Sequence, residues 1–348
     1  MEQLPEQLID VTDWARYEEY TQYPEGKCPK ALLYCVDKPL YTFLKPNHQY
    51  LFKRARSVWC PEQFWTEIFA YRLGLQMSVP VTPTFVAYDS QRKQSGALVE
   101  WVLPPPKTFL SIIEQNNELS MPLSSQDETL IAGGRFFEAL ISDFDQRKGT
   151  QHNFQTIVKL FESWSNDSDF ILNDGWKSYW AKIFTFDALI GNIDRHQDNW
   201  KIIITTNYHN NDMTSKQRLI VRMSPIFDNG ASMGYEVSSD NFNAFDFENY
   251  IRKGCHHILW SFDKSTPPKK NRKGVQHAEM LKKISNEYPE IGEIILNCLK
   301  QVSYDNFNII LNDLVKFELP DRLTRERANF MLELLHRRHQ SLLSTMEK

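Results

Sequence analysis

The chain has 348 residues, enough for one large core or two lobes. Hydrophobic residues make up 41% and aromatics 13%, which excludes a disordered chain. A net charge of −4 without a long basic stripe gives no footprint for nucleic acid. Five cysteines (Cys28, Cys35, Cys60, Cys255 and Cys298) are odd in number and lack metal-ligand spacing, so they read as thiols of a reducing compartment. The opening MEQLPEQLIDVTDW lacks the apolar centre of a secretory signal, and no run approaches the ~20 apolar residues of a membrane span.

Residues 1–22 read as a polar lead-in with a short helical segment. The stretch Tyr23–Lys30 follows, with one glycine, Gly26, and two lysines, Lys27 and Lys30. Glycine permits close backbone approach and the lysines supply charge, so this turn could contact phosphates, but taken alone it reads first as a simple exposed turn. From Lys30 the pattern becomes β. Strands are predicted at Leu32–Val36, Leu40–Leu44 and Gln49–Arg54, with turns at Asp37-Lys38-Pro39 and Pro46-Asn47-His48 between them. In the third strand Leu51 and Lys53 share one face, Tyr50 and Phe52 the other.

Pro61–Gly74 reads as a helix with proline in its first turn and glycine at its end. Phe64, Ile68 and Tyr71 make its apolar stripe and place Glu67 on the buried side. A carboxylate buried there needs a cation, and Lys53 is the candidate. The other reading has Glu67 reaching solvent and Lys53 on an open strand edge. Two further strands, Thr84–Tyr88 and Gly96–Val102, lead to Pro104-Pro105-Pro106, a stiff break between lobes. That break divides the chain into 1–102 and 103–348. By position, Val99–Val102 is the connector whose backbone amide and carbonyl can read an adenine edge, with Glu100 and Val102 as the candidates.

Beyond the break the pattern is helical apart from strands around two acidic motifs. Helices are predicted over Asp127–Ile141, Thr156–Trp164, Trp176–Ile190, Val275–Asn286, Ile291–Val302, Asn306–Val315 and Arg325–Met346. The first acidic motif is Gly191-Asn192-Ile193-Asp194-Arg195-His196-Gln197-Asp198-Asn199-Trp200, which follows an apolar helix and precedes the strand Lys201–Ile204. Loops carried on rigid elements are where chemistry concentrates. Asp194 and Asn199 are five apart, the separation at which a kinase catalytic loop places its base and a Mg²⁺-holding asparagine. Here the order is Asp-Arg-His rather than His-Arg-Asp. The second motif, Pro225-Ile226-Phe227-Asp228-Asn229-Gly230, ends in Asp-x-Gly and resembles the kinase segment that presents a carboxylate to Mg²⁺. Asn229-Gly230 alone would also suit an ordinary tight turn. A hairpin with a polar tip at Asn207–Asp212 joins the motifs, and Asp263–Gly274 is a basic surface loop.

Together, GNIDRHQDNW and SPIFDNGASMG resemble the HipA-like Ser/Thr kinases, particularly their short CtkA-type branch. The resemblance implies an α+β bilobal kinase-like fold, with a small β-rich lobe over a larger helical one. It implies ATP and Mg²⁺ as cofactors and a protein Ser or Thr hydroxyl as acceptor, with autophosphorylation. Carried over by position, Asp194 is the base, Asn199 and Asp228 are the metal ligands, Lys53 binds phosphate and Glu67 orients it. Gly26 and Lys30 match the phosphate loop, whereas Arg195 and His196 support the catalytic loop. Where HipA-type kinases autophosphorylate a serine this chain has Tyr23, with Thr21 nearby. The family's habits imply a bacterial cytoplasmic protein or a secreted effector, with an antitoxin or a host protein as possible partner. Two other functions compete: a phosphoinositide kinase, which shares an Asn-x-Asp-Arg-Gly-x-x-Asn-Trp pattern, and a nucleotide-binding scaffold without turnover.

Overall fold

The computed structural model describes residues 2–17, 30–54, 62–103, 126–146, 149, 151–172, 175–207, 219–261 and 274–347. The first half carries a six-stranded sheet in the order β1-β5-β6-β4-β3-β2. Its strands are β1 (Ile9–Asp10), β2 (Ala15–Tyr17), β3 (Lys30–Tyr34), β4 (Gln49–Arg54), β5 (Thr84–Asp89) and β6 (Gln94–Glu100). The alternation in β4 sends Tyr50 and Phe52 into the core, and puts Leu51 and Lys53 on the wall of a cleft. β1 and β2 replace the predicted polar lead-in and short helix. With two and three residues they are too short to show a period, and their pairing comes from β5 and β3, distant in sequence.

Leu40–Leu44 is not a strand. Its chain turns between Pro39 and Pro46, Leu44 N–H donates to Tyr41 O (3.1 Å), and Leu40 is exposed. The alternation there serves a different contact: Tyr41 stacks on Phe43, which packs on Phe85 with centroids 4.9 Å apart. Helix α1 (Gln63–Gln76) crosses the sheet and is buried on every side from Phe64 to Gly74. Gly74 lies inside the helix rather than ending it. A Cβ there would stand 2.4 Å from Val81 Cγ2, so the glycine permits the close approach of the next segment.

The second half holds a four-stranded sheet, β7-β9-β10-β8, and a helical mass. Its strands are β7 (Gln126–Ala132), β8 (Phe170–Leu172), β9 (Lys201–Asn207) and β10 (Leu219–Met223). The predicted helix over Asp127–Ile141 is in fact β7 followed by α2 (Gly133–Leu140). Pairing of Glu128–Ala132 with Lys201–Thr205 overrides the local preference of that stretch. Helices α3 (Phe154–Asn166) and α4 (Trp176–Ile190) follow. A 3₁₀ turn (Ser239–Ala244) and α5 (Phe247–Lys253) come next, neither read from the sequence. The chain closes with α6 (His277–Glu287), α7 (Pro289–Lys300), α8 (Tyr304–Leu314) and α9 (Arg325–Met346).

The two halves share one hydrophobic core and are also stitched by backbone. Thr82 N–H donates to Ile226 O (2.9 Å) and Ile226 N–H to Pro80 O (2.7 Å), a two-bond clamp next to the second acidic motif. Trp65 of α1 donates to Asp321 O (2.8 Å), fixing that helix to the C-terminal helices. Among the described residues no helix is long and apolar enough to cross a membrane, and Cys35, Cys255 and Cys298 form no disulfide.

Candidate active site

The site lies between the halves, and its geometry begins at the end of α4. Gly191 takes the left-handed conformation (φ 70°) that ends a helix without steric cost, turning the chain into the loop 192–200. Arg195, buried in this loop, is its hub. Its Nε and Nη2 grip the Asp187 carboxylate on both oxygens (3.0 and 2.8 Å). Nη1 donates to Asn199 O (3.1 Å) and Phe227 O (2.6 Å), and Nη2 also to Asn229 Oδ1 (2.6 Å). All five guanidinium N–H groups are used, and burial is outweighed by Asp187, so the guanidinium titrates above its ordinary value. One side chain thereby joins the helix, the first acidic loop and the second.

Asp194 is held through its backbone. Its N–H donates to Asn192 Oδ1 (3.0 Å) and its carbonyl accepts from Asn199 Nδ2 (2.7 Å). The carboxylate itself makes no hydrogen bond among the described residues and is exposed. Partial burial raises its pKa, and Asp228 adds to the rise against His196 and Arg195. Asn199 is buried, and with its Nδ2 bound to Asp194 O its Oδ1 takes no hydrogen bond among the described residues.

Asp228 has φ 59°, uncommon for a residue with a side chain. The strain persists because both flanks are pinned: Phe227 O by Arg195, and Asn229 N–H by Glu67 Oε2 (2.9 Å). The carboxylate, 44% exposed to the cleft, accepts from Lys53 Nζ at 2.7 Å. Burial would raise Asp228, but the Lys53 ammonium holds it down at about 2.

Lys53 and Glu67 are brought together as an ion pair, Nζ to Oε1, with both side chains nearly buried. Burial works against the ammonium, yet Asp228 and Glu67 together keep it above its ordinary value. Of the two readings open in the sequence, the paired one is what the fold builds. Gln63 Nε2 (3.3 Å) and Thr66 Oγ1 (3.1 Å) donate to Gly230 O, so α1 seizes the Asp-x-Gly turn at several points.

The cleft is lined by Leu51, Lys53, Thr82, Val99, Glu100, Trp101, Val102, Leu130, Lys201 and Phe227. Thr84 pairs with Val99, so Pro83 stands opposite Glu100. Glu100 N–H donates to Pro83 O (2.8 Å), but proline has no N–H to return, and the Glu100 carbonyl lacks its ladder partner. The Trp101 N–H is taken by Gln49 O (2.9 Å), whereas among the described residues no backbone bond uses the Val102 N–H. An acceptor at Glu100 and a donor at Val102 are left on the cleft wall. The Glu100 side chain is not available there, since Lys45 Nζ holds it at 2.7 Å. Lys30 begins β3 opposite Lys53 and acts on Asp228 through its charge. Gly26 and Lys27 lie outside the described residues, as do Thr21, Tyr23 and the greater part of the predicted basic loop.

Two residues of the site were not singled out in the sequence. One is Asp187, buried as Arg195's partner; a lone carboxylate inside the apolar FTFDALI is the signal that a cation must meet it. Lys201 lies in the cleft with its Nζ 5.7 Å from the Trp101 ring centre and 5.4 Å from that of Phe227. Burial lowers its pKa against the pull of Asp198. Its place directly after Asn199-Trp200, at the head of β9, was the available sign.

No protein-family model and no curated protein sequence matches the chain. Solved structures do. The proinflammatory kinase CtkA of Helicobacter pylori aligns with a TM-score of 0.64 at 15% identity, over 97% of both chains. The chain has the bilobal kinase-like fold. Two lower matches are a HipA–HipB–operator DNA toxin–antitoxin complex from Shewanella oneidensis MR-1 and the Golgi casein kinase. The first gives a TM-score of 0.46 at 13% identity, over 98% of this chain and 72% of that one. The second gives 0.37 at 12% identity, over 93% and 72%. The fold assignment rests on CtkA.

Kinase-like folds use ATP and a divalent metal in general, and the donors here fit such an ion. Asp228 stays ionised through the neutral range and faces the cleft, and Asn199 offers an unbonded amide oxygen. Mg²⁺ takes hard oxygen ligands and commonly only one or two from protein, the remainder from phosphates and water. Among the described residues no three His, Cys, Asp or Glu side chains converge on a metal site of their own.

Proposed function

We propose that the chain is an ATP- and Mg²⁺-dependent protein kinase that transfers the γ-phosphoryl group to a Ser or Thr hydroxyl. The observation carrying this reading is the continuous chain Glu67–Lys53–Asp228, joined through Arg195 to the loop of Asp194 and Asn199. Phosphoryl transfer needs little covalent help from protein; positioning and charge neutralisation supply most of the acceleration. Every part of that requirement has a candidate in the cleft.

The adenine edge would meet the Glu100 carbonyl and the Val102 N–H, both left without strand partners. Lys53, held by Glu67, would move part of its charge from Asp228 to the nucleotide phosphates. Asp228 and Asn199 Oδ1 would hold Mg²⁺, whose chemistry is to neutralise the phosphate oxygens. Asp194 has the role of base: its carboxylate is open, its backbone is clamped, and a raised pKa brings it nearer the working pH of a proton acceptor. Lys201 adds a second cation on the cleft wall, within reach of the same anionic ligand.

Labelled ATP and Mg²⁺ with the purified chain, offered either protein acceptors or phosphoinositide vesicles, test the reading. Label on protein Ser or Thr, lost in Asp228→Ala, is the expected result. Label on lipid alone makes the chain a phosphoinositide kinase, and nucleotide binding without transfer to either makes it a scaffold.

A further inference from the structure

A second cavity of about 190 Å³ lies away from the cleft, between α4, α5, α6 and α9. It holds room for several waters or one small anionic group. Its wall includes Arg252, Gln276, His277, Arg338 and Ser341, with Glu248 also lining it. Arg338 is the notable member, with 2% of its surface exposed and, among the described residues, no carboxylate in ion-pair contact. Its Nη1 reaches His277 Nδ1 at 3.2 Å and Ala188 O at a marginal 3.5 Å, while its Nε is buried without any acceptor. The side chain lies against the backbone of Gly191 and Gly254, where an added Cβ would come within 2.7 and 3.0 Å of the guanidinium.

His277 does not compensate. Its Nε2 faces Asn192 O (3.2 Å), a pure acceptor, so Nε2 carries the proton and Nδ1 accepts from Arg338. That is a neutral ring beside the cation, whose other company is the Tyr250 ring, 5.7 Å from its Cζ, and the charge of Glu236 acting without an ion-pair contact. A buried cation with no anion in contact is expensive.

Arg252 is a second cation on the wall, which Glu248 also lines. Among the described residues Arg252 makes a side-chain bond only to Asn249 Oδ1 (2.8 Å) and no ion pair. The 11-residue α6 starts at the cavity, and its N-cap, Gln276, makes no side-chain capping bond; the His277 N–H is taken by Gly254 O (3.2 Å), which leaves the Ala278 amide of the first turn beside the cavity. The nearby acids are engaged elsewhere: Glu248 with Arg337 (3.1 Å), Glu236 with the Tyr250 hydroxyl (2.8 Å) and Glu279 with Lys283 (3.3 Å).

We propose that this cavity is a binding site for a small phosphate-bearing anion, received by Arg338, Arg252 and the N-terminus of α6. Inorganic phosphate and a small phosphomonoester offer the same oxygens to these donors. The site is independent of the nucleotide cleft. It does touch the catalytic loop from behind, through His277 to Asn192, whose Oδ1 holds the Asp194 N–H.

Calorimetric titration of the full chain with inorganic phosphate, and in parallel with glycerol phosphate, against chloride at matched ionic strength tests this. Saturable binding is expected, tighter for whichever of the two is the natural form. Arg252→Gln should weaken it by at least about tenfold, the scale of one charge-assisted hydrogen bond. Arg338→Met should abolish it, and Lys53→Met, in the cleft, should leave it unchanged. Arg252 is exposed and outside the core, so its variant decides the matter even if Arg338→Met fails to fold. No saturable binding, equal affinity in Arg252→Gln, or loss only in Lys53→Met overturns the proposal.

Discussion

Arg195 and Arg338 are both buried arginines of the helical half, and the fold treats them in opposite ways. Arg195 has a bidentate carboxylate and three more acceptors, and titrates above its ordinary value. Arg338 has a neutral imidazole, the Tyr250 ring, one distant carbonyl and a stranded Nε, and burial drags its pKa down to about 10. A buried cation whose donors are all used is a fastener, because nothing remains to offer a ligand. One left short of acceptors contributes little to holding the fold and keeps its donors for something else.

The sharpest way to break this comparison is to delete each cation. Arg195→Met removes one partner of a buried pair and strands Asp187, so unfolding measured in urea should lose about 3–5 kcal/mol. Arg338→Met replaces a starved charge by a side chain of similar length, and the same experiment should find stability unchanged or improved. Equal losses in the two would mean that Arg338 is as structural as Arg195. Lys53 is a third case, a buried cation shared by two carboxylates, with its ammonium facing the cleft. Lys53→Met should lower the transfer rate by about 10²-fold, the scale of one removed electrostatic donor. It should also let the Asp228 pKa climb from about 2, readable by NMR titration of the carboxyl.

The smallest and most graded test is pH. His256 and His257 are held at about 4, and His152 and His277 well below their ordinary value, in each case through burial first. The folded state therefore binds these protons more weakly than the unfolded chain does. Their contribution to stability is complete above pH 6.5 and is lost as pH falls toward 4, by up to about 1.4 kcal/mol per pH unit for each. Asp228 adds a further loss only lower down, between 3.8 and about 2. Because His277 and His256 adjoin Arg338, hydrogen exchange should rise first around α6 as pH drops. Uniform protection down to pH 4 would contradict that order.

The sequence was most legible where local pattern and tertiary demand agree. β4, α4 and α9 have the bounds their periodicity predicts, because each carries a core face along its full length. It was least legible where pairing is decided from afar. Glu128–Ala132 becomes a strand only because β9 offers it an edge, and β1 and β2 are too short to carry a period. In the site, the spacing of Asp194 and Asn199 and the Asp228-Asn229-Gly230 turn were visible because ligand-facing groups repeat in recognisable order. The Asp187–Arg195 fastener, eight residues apart, was not, since it needs the chain to turn back after Gly191, and the Arg338 cavity was not, since it depends on side chains far apart in sequence meeting in a dry interior.

The central claim is that Asp194 acts as base in a cleft whose remaining charges bind nucleotide. The most direct measurement is the rate of γ-phosphoryl transfer from saturating ATP and Mg²⁺ by Asp194→Asn. Asparagine keeps the size and the backbone clamps but cannot take the proton. Transfer should fall by about 10²–10⁴-fold with ATP affinity unchanged. Transfer at the rate of the unaltered chain would remove Asp194 from the chemistry and contradict the account.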